Sequence, residues 1–122
     1  YLKIEGEVDL TKVIRMQIDS SLWVLSEDGE MQKFTQGVKD NFSYLGLDTP
    51  VKEPKSFFVS DATENLYLLD SGNKRVLVLT KTGGYKAQYQ SDLISQMIDL
   101  VVSEEEKKIY LLDGQKIYII SM

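Results

Sequence analysis

The stretch DATENLYLLDSGNKRVLVLTKTGGYKAQY, residues 61–89, decides the fold. Its apolar runs are short and rich in Val, Leu and Tyr. They are broken by Asp70-Ser71-Gly72-Asn73 and by Gly83-Gly84. Brief strands punctuated by turn-forming residues read as antiparallel hairpins. Side chains alternate across a pleat, so Tyr67 stands on the face opposite Leu66 and Leu68, and both faces of the strand are apolar. Such a sheet is satisfied only between two neighbours, each packed about 10 Å away.

The pattern recurs. SLWVLSEDGEMQKFTQ from Ser21, NLYLLDSGNKRVLVLTK from Asn65 and KIYLLDGQKIYIIS from Lys108 align Trp23, Tyr67 and Tyr110 at spacings of 44 and 43 residues. Leu22, Leu66 and Ile109 align as well, and so do Leu25, Leu69 and Leu112. An apolar strand precedes each segment, with Ile18, Val59 and Val102 in register. A repeat of about 40–45 residues built from four short strands has the period of a propeller blade. The expected fold is all-β, with three blades of four antiparallel strands lettered a to d from the inside out. Blade one lies within 13–48, blade two within 54–90, and blade three, which lacks strand d, within 97–122. The expected d strands of blades one and two are 42–47 and 85–90. Residues 1–6, YLKIEG, precede blade one as YKAQYQ precedes blade three, with Tyr1 and Tyr85 offset by 84 like Ile14 and Ile98. They read as an outer strand that completes a last blade.

Composition narrows the chemistry. The 122 residues carry a net charge of -5, with 43% apolar and 27% charged residues and neither cysteine nor histidine. Disulfide scaffolds, thiol nucleophiles, imidazole or thiolate metal sites and histidine acid–base catalysis are therefore excluded for this chain. The acidic balance and two arginines argue against a nucleic-acid footprint. No apolar run approaches the roughly 18 residues of a membrane-spanning helix, and no signal peptide is visible. A chain that begins at Tyr1 is expected to be a processed or excised piece.

Within 61–89 the motif Asp70-Ser71-Gly72-Asn73 followed by Arg75 resembles an NHL repeat. Blade three shortens that turn to Asp113-Gly114, and blade one replaces Asp70 with Ser26. The resemblance implies a propeller. Asp70, Ser71, Gly72, Asn73 and Arg75 are expected to be structural. The Ser71-Gly72-Asn73 segment would supply positive φ, Asp70 would accept from the turn amides, and Arg75 would bridge to Asp70 or to a carboxylate on the next blade.

Candidate ligand-binding residues are Arg15, Ser56 and Asp99, which occupy one position of strand a in the three blades, at the mouth of the expected channel. Asp19, Asp61 and Glu104 recur in the a–b loops and are expected to satisfy turn amides. The connection 40–54, with Phe42, Tyr44, Pro50 and Pro54, should form the most distinctive surface. No catalytic motif, metal-ligand spacing or cofactor signature is present. Closed propellers have 4–8 blades. Three leave two apolar end faces, to be covered either by a second copy in a six-bladed homodimer, each N-terminal strand completing the other copy's third blade, or by further blades of a longer parent. The expected function is a non-catalytic interaction or scaffold module that presents loops to a protein, peptide or glycan. The alternative is part of a propeller enzyme, a metal-assisted hydrolase or lyase, with its active residues in other blades.

Overall fold

The computed structural model describes residues 3–10 and 12–122. These contain eleven strands in three antiparallel sheets, with no α-helix. The first sheet is β1 (Val13–Ile18), β2 (Leu22–Ser26), β3 (Met31–Thr35) and β4 (Val38–Lys39), in that order. The second is β5 (Ser56–Phe58), β6 (Leu66–Asp70), β7 (Arg75–Leu79) and β8 (Tyr85–Gln90). The third has only β9 (Asp99–Ser103), β10 (Lys108–Leu112) and β11 (Ile117–Ser121).

Register follows the sequence repeat. Arg15 pairs with Leu25, Ser56 with Leu69 and Asp99 with Leu112, so the three occupy one structural position. Likewise Ile18 pairs with Leu22, as Val102 pairs with Ile109.

Alternation then builds two cores. Trp23, Leu25 and Met31 of the first sheet meet Phe57, Leu66, Leu68, Leu77 and Leu79 of the second. The opposite face of the second sheet, through Tyr67, Leu69, Val76 and Val78, meets Leu100, Val102, Ile109 and Leu111 of the third. Every residue of β6 and β7 is therefore buried. The end sheets have one covered face each. Met16 and Ile18 on β1 are 62% and 71% exposed, and Ile117 and Ile119 on β11 are 67% and 60% exposed.

Three features depart from expectation. The fourth strand of the first sheet is β4, not residues 42–47. Gln36 and Gly37 both adopt positive φ, 51° and 80°, which turns the chain straight back after β3 as a tight hairpin requires. Residues 42–47 instead run on to the second sheet, where Phe42, Tyr44 and Leu47 pack against the first core. Leu45 forms a parallel bridge with Gly84, through Leu45 N–H to Gly83 C=O (3.0 Å) and Tyr85 N–H to Leu45 C=O (2.9 Å). Second, residues 71–73 form a 3-10 turn, and the left-handed residue is Lys74, at φ 54°. Third, residues 3–6 form no strand within the chain; Tyr1 and Leu2, the rest of the expected outer strand, lie outside the described residues.

Phe57 is fully buried between the first two sheets. Phe57→Ala is expected to lower unfolding free energy by about 3–5 kcal/mol, through lost transfer energy and a residual cavity, as read by urea denaturation.

Candidate functional site

Polar side chains join the sheets at four places. The most buried is a clamp on the connection between the first two blades. Asp70 and Arg75 close the β6–β7 hairpin as a cross-strand pair, with Arg75 Nε donating to Asp70 Oδ2 at 2.7 Å and both side chains almost wholly buried. Arg75 directs Nη1 to Asp48 Oδ1 (2.6 Å) and Nη2 to Thr49 C=O (2.7 Å) of the connection, and Nη1 also to Gln88 Oε1 (3.1 Å) on β8. Asp70 Oδ1 accepts from the Lys52 amide at 2.8 Å, and Oδ2 also accepts from Asn73 Nδ2 at 2.9 Å. Asn73 Nδ2 lies 2.7 Å from Pro50 C=O as well. Gly72 donates its amide to Lys52 C=O at 2.8 Å, and a Cβ there would collide with the Lys52 backbone. The glycine thus serves close approach rather than positive φ. Asp70 receives the amide of the connection, not amides of its own turn.

Arg75 therefore bridges Asp70 as expected, but its second carboxylate is Asp48 of the connection rather than one on the next blade. The Arg75 guanidinium holds the Asp48 carboxyl below the usual carboxylate range, outweighing the opposing desolvation. Among the described residues, Ser71 Oγ is buried without a hydrogen-bond partner.

Two further joints lie in the a–b loops. Glu104, from the β9–β10 loop, accepts from the amides of Glu64 (2.6 Å) and Asn65 (3.1 Å) in the β5–β6 loop and from Tyr67 Oη (2.7 Å) on β6. Burial, and then the Glu104 carboxylate, push the Tyr67 phenol well above its ordinary pKa. Asp19 accepts from the Ser21 amide (2.8 Å), Trp23 Nε1 (2.9 Å) and Lys81 Nζ (2.8 Å). The Lys81 bond to Asp19 ties the second blade to the first, and Lys81 Nζ also reaches Ser60 C=O within its own blade at 3.1 Å. Asp19 and Glu104 do satisfy turn amides, and Glu104 does so across a sheet boundary. Trp23 is fully buried in the first core. No spacing of charges in the sequence marks Asp48, Lys81 or the cross-sheet role of Glu104, because their partners are 27 to 62 residues away.

The structure brings Arg15, Ser56 and Asp99 together. Asp99 Oδ1 accepts from Arg15 Nη2 (2.5 Å), Ser56 Oγ (2.7 Å) and the Leu100 amide (2.9 Å). One carboxylate oxygen thus links the first strands of all three sheets. Gln17 adds a second link between β1 and the β5 chain, donating to Phe57 C=O and accepting from the Val59 amide at 3.1 Å. Desolvation would raise the Asp99 pKa, but the Ser56 hydroxyl and the Arg15 guanidinium outweigh it and hold the carboxyl below its ordinary value. The Arg15 and Asp99 side chains are 38% and 34% exposed, so this polar cluster is open to solvent. Among the described residues, no three acidic side chains group as a metal site would require.

No family model matches the chain, and no curated protein matches it. Three solved chains do. One of them is KlHsv2 with loop 6CD replaced by a Gly-Ser linker, a β-propeller, at a TM-score of 0.61 and 10% sequence identity. The match covers 90% of this chain and 35% of that chain, so this chain spans about a third of a propeller of that length. The three sheets are β-propeller blades, with β1, β5 and β9 as their first strands. No helix of the described residues is long and apolar enough to cross a membrane.

Two outcomes follow from the joints. Arg75→Ala leaves the Asp70 charge buried and releases Asp48 and Thr49, and should cost about 3–5 kcal/mol by urea denaturation. The Asp99 carboxyl is depressed in the folded state, so its stabilisation is fully present above the ordinary carboxylate pKa and is lost as pH falls through the folded value. Urea midpoints measured from pH 5 down to pH 2 should therefore fall less steeply for Asp99→Asn than for the natural chain.

Proposed function

We propose that this chain is a non-catalytic interaction module of NHL-like propeller type, presenting its a-strand mouth and its interblade connection to a protein or peptide partner. The observation that carries this reading is how the charged side chains are used. Asp70 with Arg75, Asp19 with Lys81, and Glu104 with the Glu64 and Asn65 amides each end in bonds that hold blades together. Arg15 and Asp99 remain part-exposed at a position repeated on all three first strands, where a partner carboxylate or amide could exchange with their mutual pair. The working unit in this proposal is a six-bladed ring of two copies. Support comes from the exposed apolar faces of the first and last blades and from propeller closure at 4–8 blades.

Two measurements test the reading together. Selection from a displayed peptide library should enrich binders of micromolar Kd that weaken at least tenfold on Arg15→Ala and Asp99→Ala. Millimolar calcium or zinc should leave Tm unchanged. Failure to enrich any peptide, together with a rise of several degrees in Tm with either ion, would overturn the interaction module in favour of a metal-assisted enzyme segment. Sedimentation at micromolar concentration is expected to give the mass of two copies; a clean monomer sinks the ring.

A further inference from the structure

Blade one breaks the repeat at its outer edge. In blade two, β8 lies along the whole of β7, with Tyr85 to Gln90 opposite Leu79 to Arg75. In blade one, β4 reaches only Thr35 and Phe34 of β3. The chain then makes one more bond to that edge, Asp40 N–H to Lys33 C=O at 2.8 Å, and departs toward blade two. Leu25 pairs with Met31 as Leu69 pairs with Val76, and Val24 pairs with Gln32 as Leu68 pairs with Leu77. The places opposite Met31 and Gln32, which Tyr89 and Gln88 fill in blade two, hold no strand among the described residues.

Backbone direction makes that gap a binding edge. The main-chain groups of an antiparallel strand point alternately to its two neighbours. Glu30 C=O accepts from Ser26 on β2, and Lys33 C=O accepts from Asp40 on the opposite side. Met31 therefore directs both its N–H and its C=O outward, into the vacant place.

The segment that follows β4 leaves the gap open. Phe42 and Tyr44 form the far wall of a cavity of about 280 Å³ whose near wall is Glu30, Met31 and Gln32. A second cavity, of about 450 Å³, adjoins it: Glu30 and Tyr44 line both, and Leu47, Pro50, Val51 and Asp28 line its remainder. Tyr44 Oη donates to Gly29 C=O at 2.8 Å, which fixes the ring between the two. All of these walls lie between residues 28 and 51, in blade one and its connection to blade two.

Charge selects the occupant. Asp28 and Glu30 are the charged residues of the second cavity, both exposed, and neither forms a salt bridge among the described residues. Burial, then the charges of Asp70, Asp28 and Glu30, push the Tyr44 phenol above its ordinary pKa. An apolar floor with a carboxylate rim suits lysine or arginine, whose stem would pack on Leu47, Pro50 and Val51 while its cationic head meets the acids.

We infer that an extended partner segment adds a short strand to β3 opposite Met31 and Gln32, and lays a lysine or arginine side chain in the cavity flanked by Asp28 and Glu30. Main-chain bonds at the edge supply affinity and the acidic pocket supplies choice. This rests on the interaction-module reading above and names its docking site and the chemistry of its partner.

A displayed random heptapeptide library panned on the full chain should enrich sequences with a lysine or arginine at one fixed place in an apolar frame, of micromolar Kd. The double variant Asp28→Asn with Glu30→Gln, which keeps the shape of both side chains, should bind the enriched peptide at least tenfold more weakly. The natural chain should lose as much for the peptide with norleucine at the basic place, an arm that does not depend on how the variant folds. The double variant should bind the two peptides equally, and Arg15→Ala should change Kd by less than twofold. On binding, hydrogen exchange at the Met31 amide should slow at least tenfold, while the Gln32 amide, directed at β2, should not change. Enriched peptides without a basic residue, an unchanged Kd with norleucine, or unaltered exchange at Met31 overturns the inference. Peptides that lose affinity on Arg15→Ala but not on Asp28→Asn with Glu30→Gln keep the a-strand mouth and overturn this site. Failure to enrich any peptide removes both.

Discussion

Blade two is apolar on both faces, and the rest of the structure answers that constraint. β6 and β7 bury every residue they contain, with Leu66, Leu68, Leu77 and Leu79 on one side and Tyr67, Leu69, Val76 and Val78 on the other. A sheet with two apolar faces gains on the order of 1.5–3 kcal/mol per large side chain when both are covered, and forfeits half of that gain if one face stays wet. The first and third blades cover it, and in doing so become end blades with uncovered faces of their own. The architecture is quasi-one-dimensional, each repeat touching only its neighbours, so the same demand reappears at both ends.

Apolar burial does not choose the angle or height at which blades meet. The polar joints do. The Arg75 clamp draws 48–52 down onto the end of the β6–β7 hairpin, and Gly72 permits that approach because no side chain stands in the way. Glu104 sets blade three against the start of β6, and Lys81 sets blade two against Asp19 of blade one. At the inner strands one oxygen of Asp99 fixes the spacing of β1, β5 and β9 together. These bonds have direction, as the apolar contacts do not, and they specify one arrangement among several that would bury similar area.

The sequence alone determined the repeat, and with it the strand class, the boundaries of most strands and the equivalence of Arg15, Ser56 and Asp99. Those properties are local or periodic: alternation, turn residues and spacing are written into consecutive positions. It also marked Asp70 and Arg75 as a pair, because a hairpin puts them opposite each other.

Only the tertiary structure decided what those residues reach. The Gln36-Gly37 hairpin took the fourth-strand place of blade one, through a backbone conformation that a short turn accepts, and left the more apolar 42–47 to seal the first core. Asp48, Lys81 and Glu104 acquired their roles through contacts between blades, and a charge in a loop carries no record of the partner that the fold will bring from dozens of residues away.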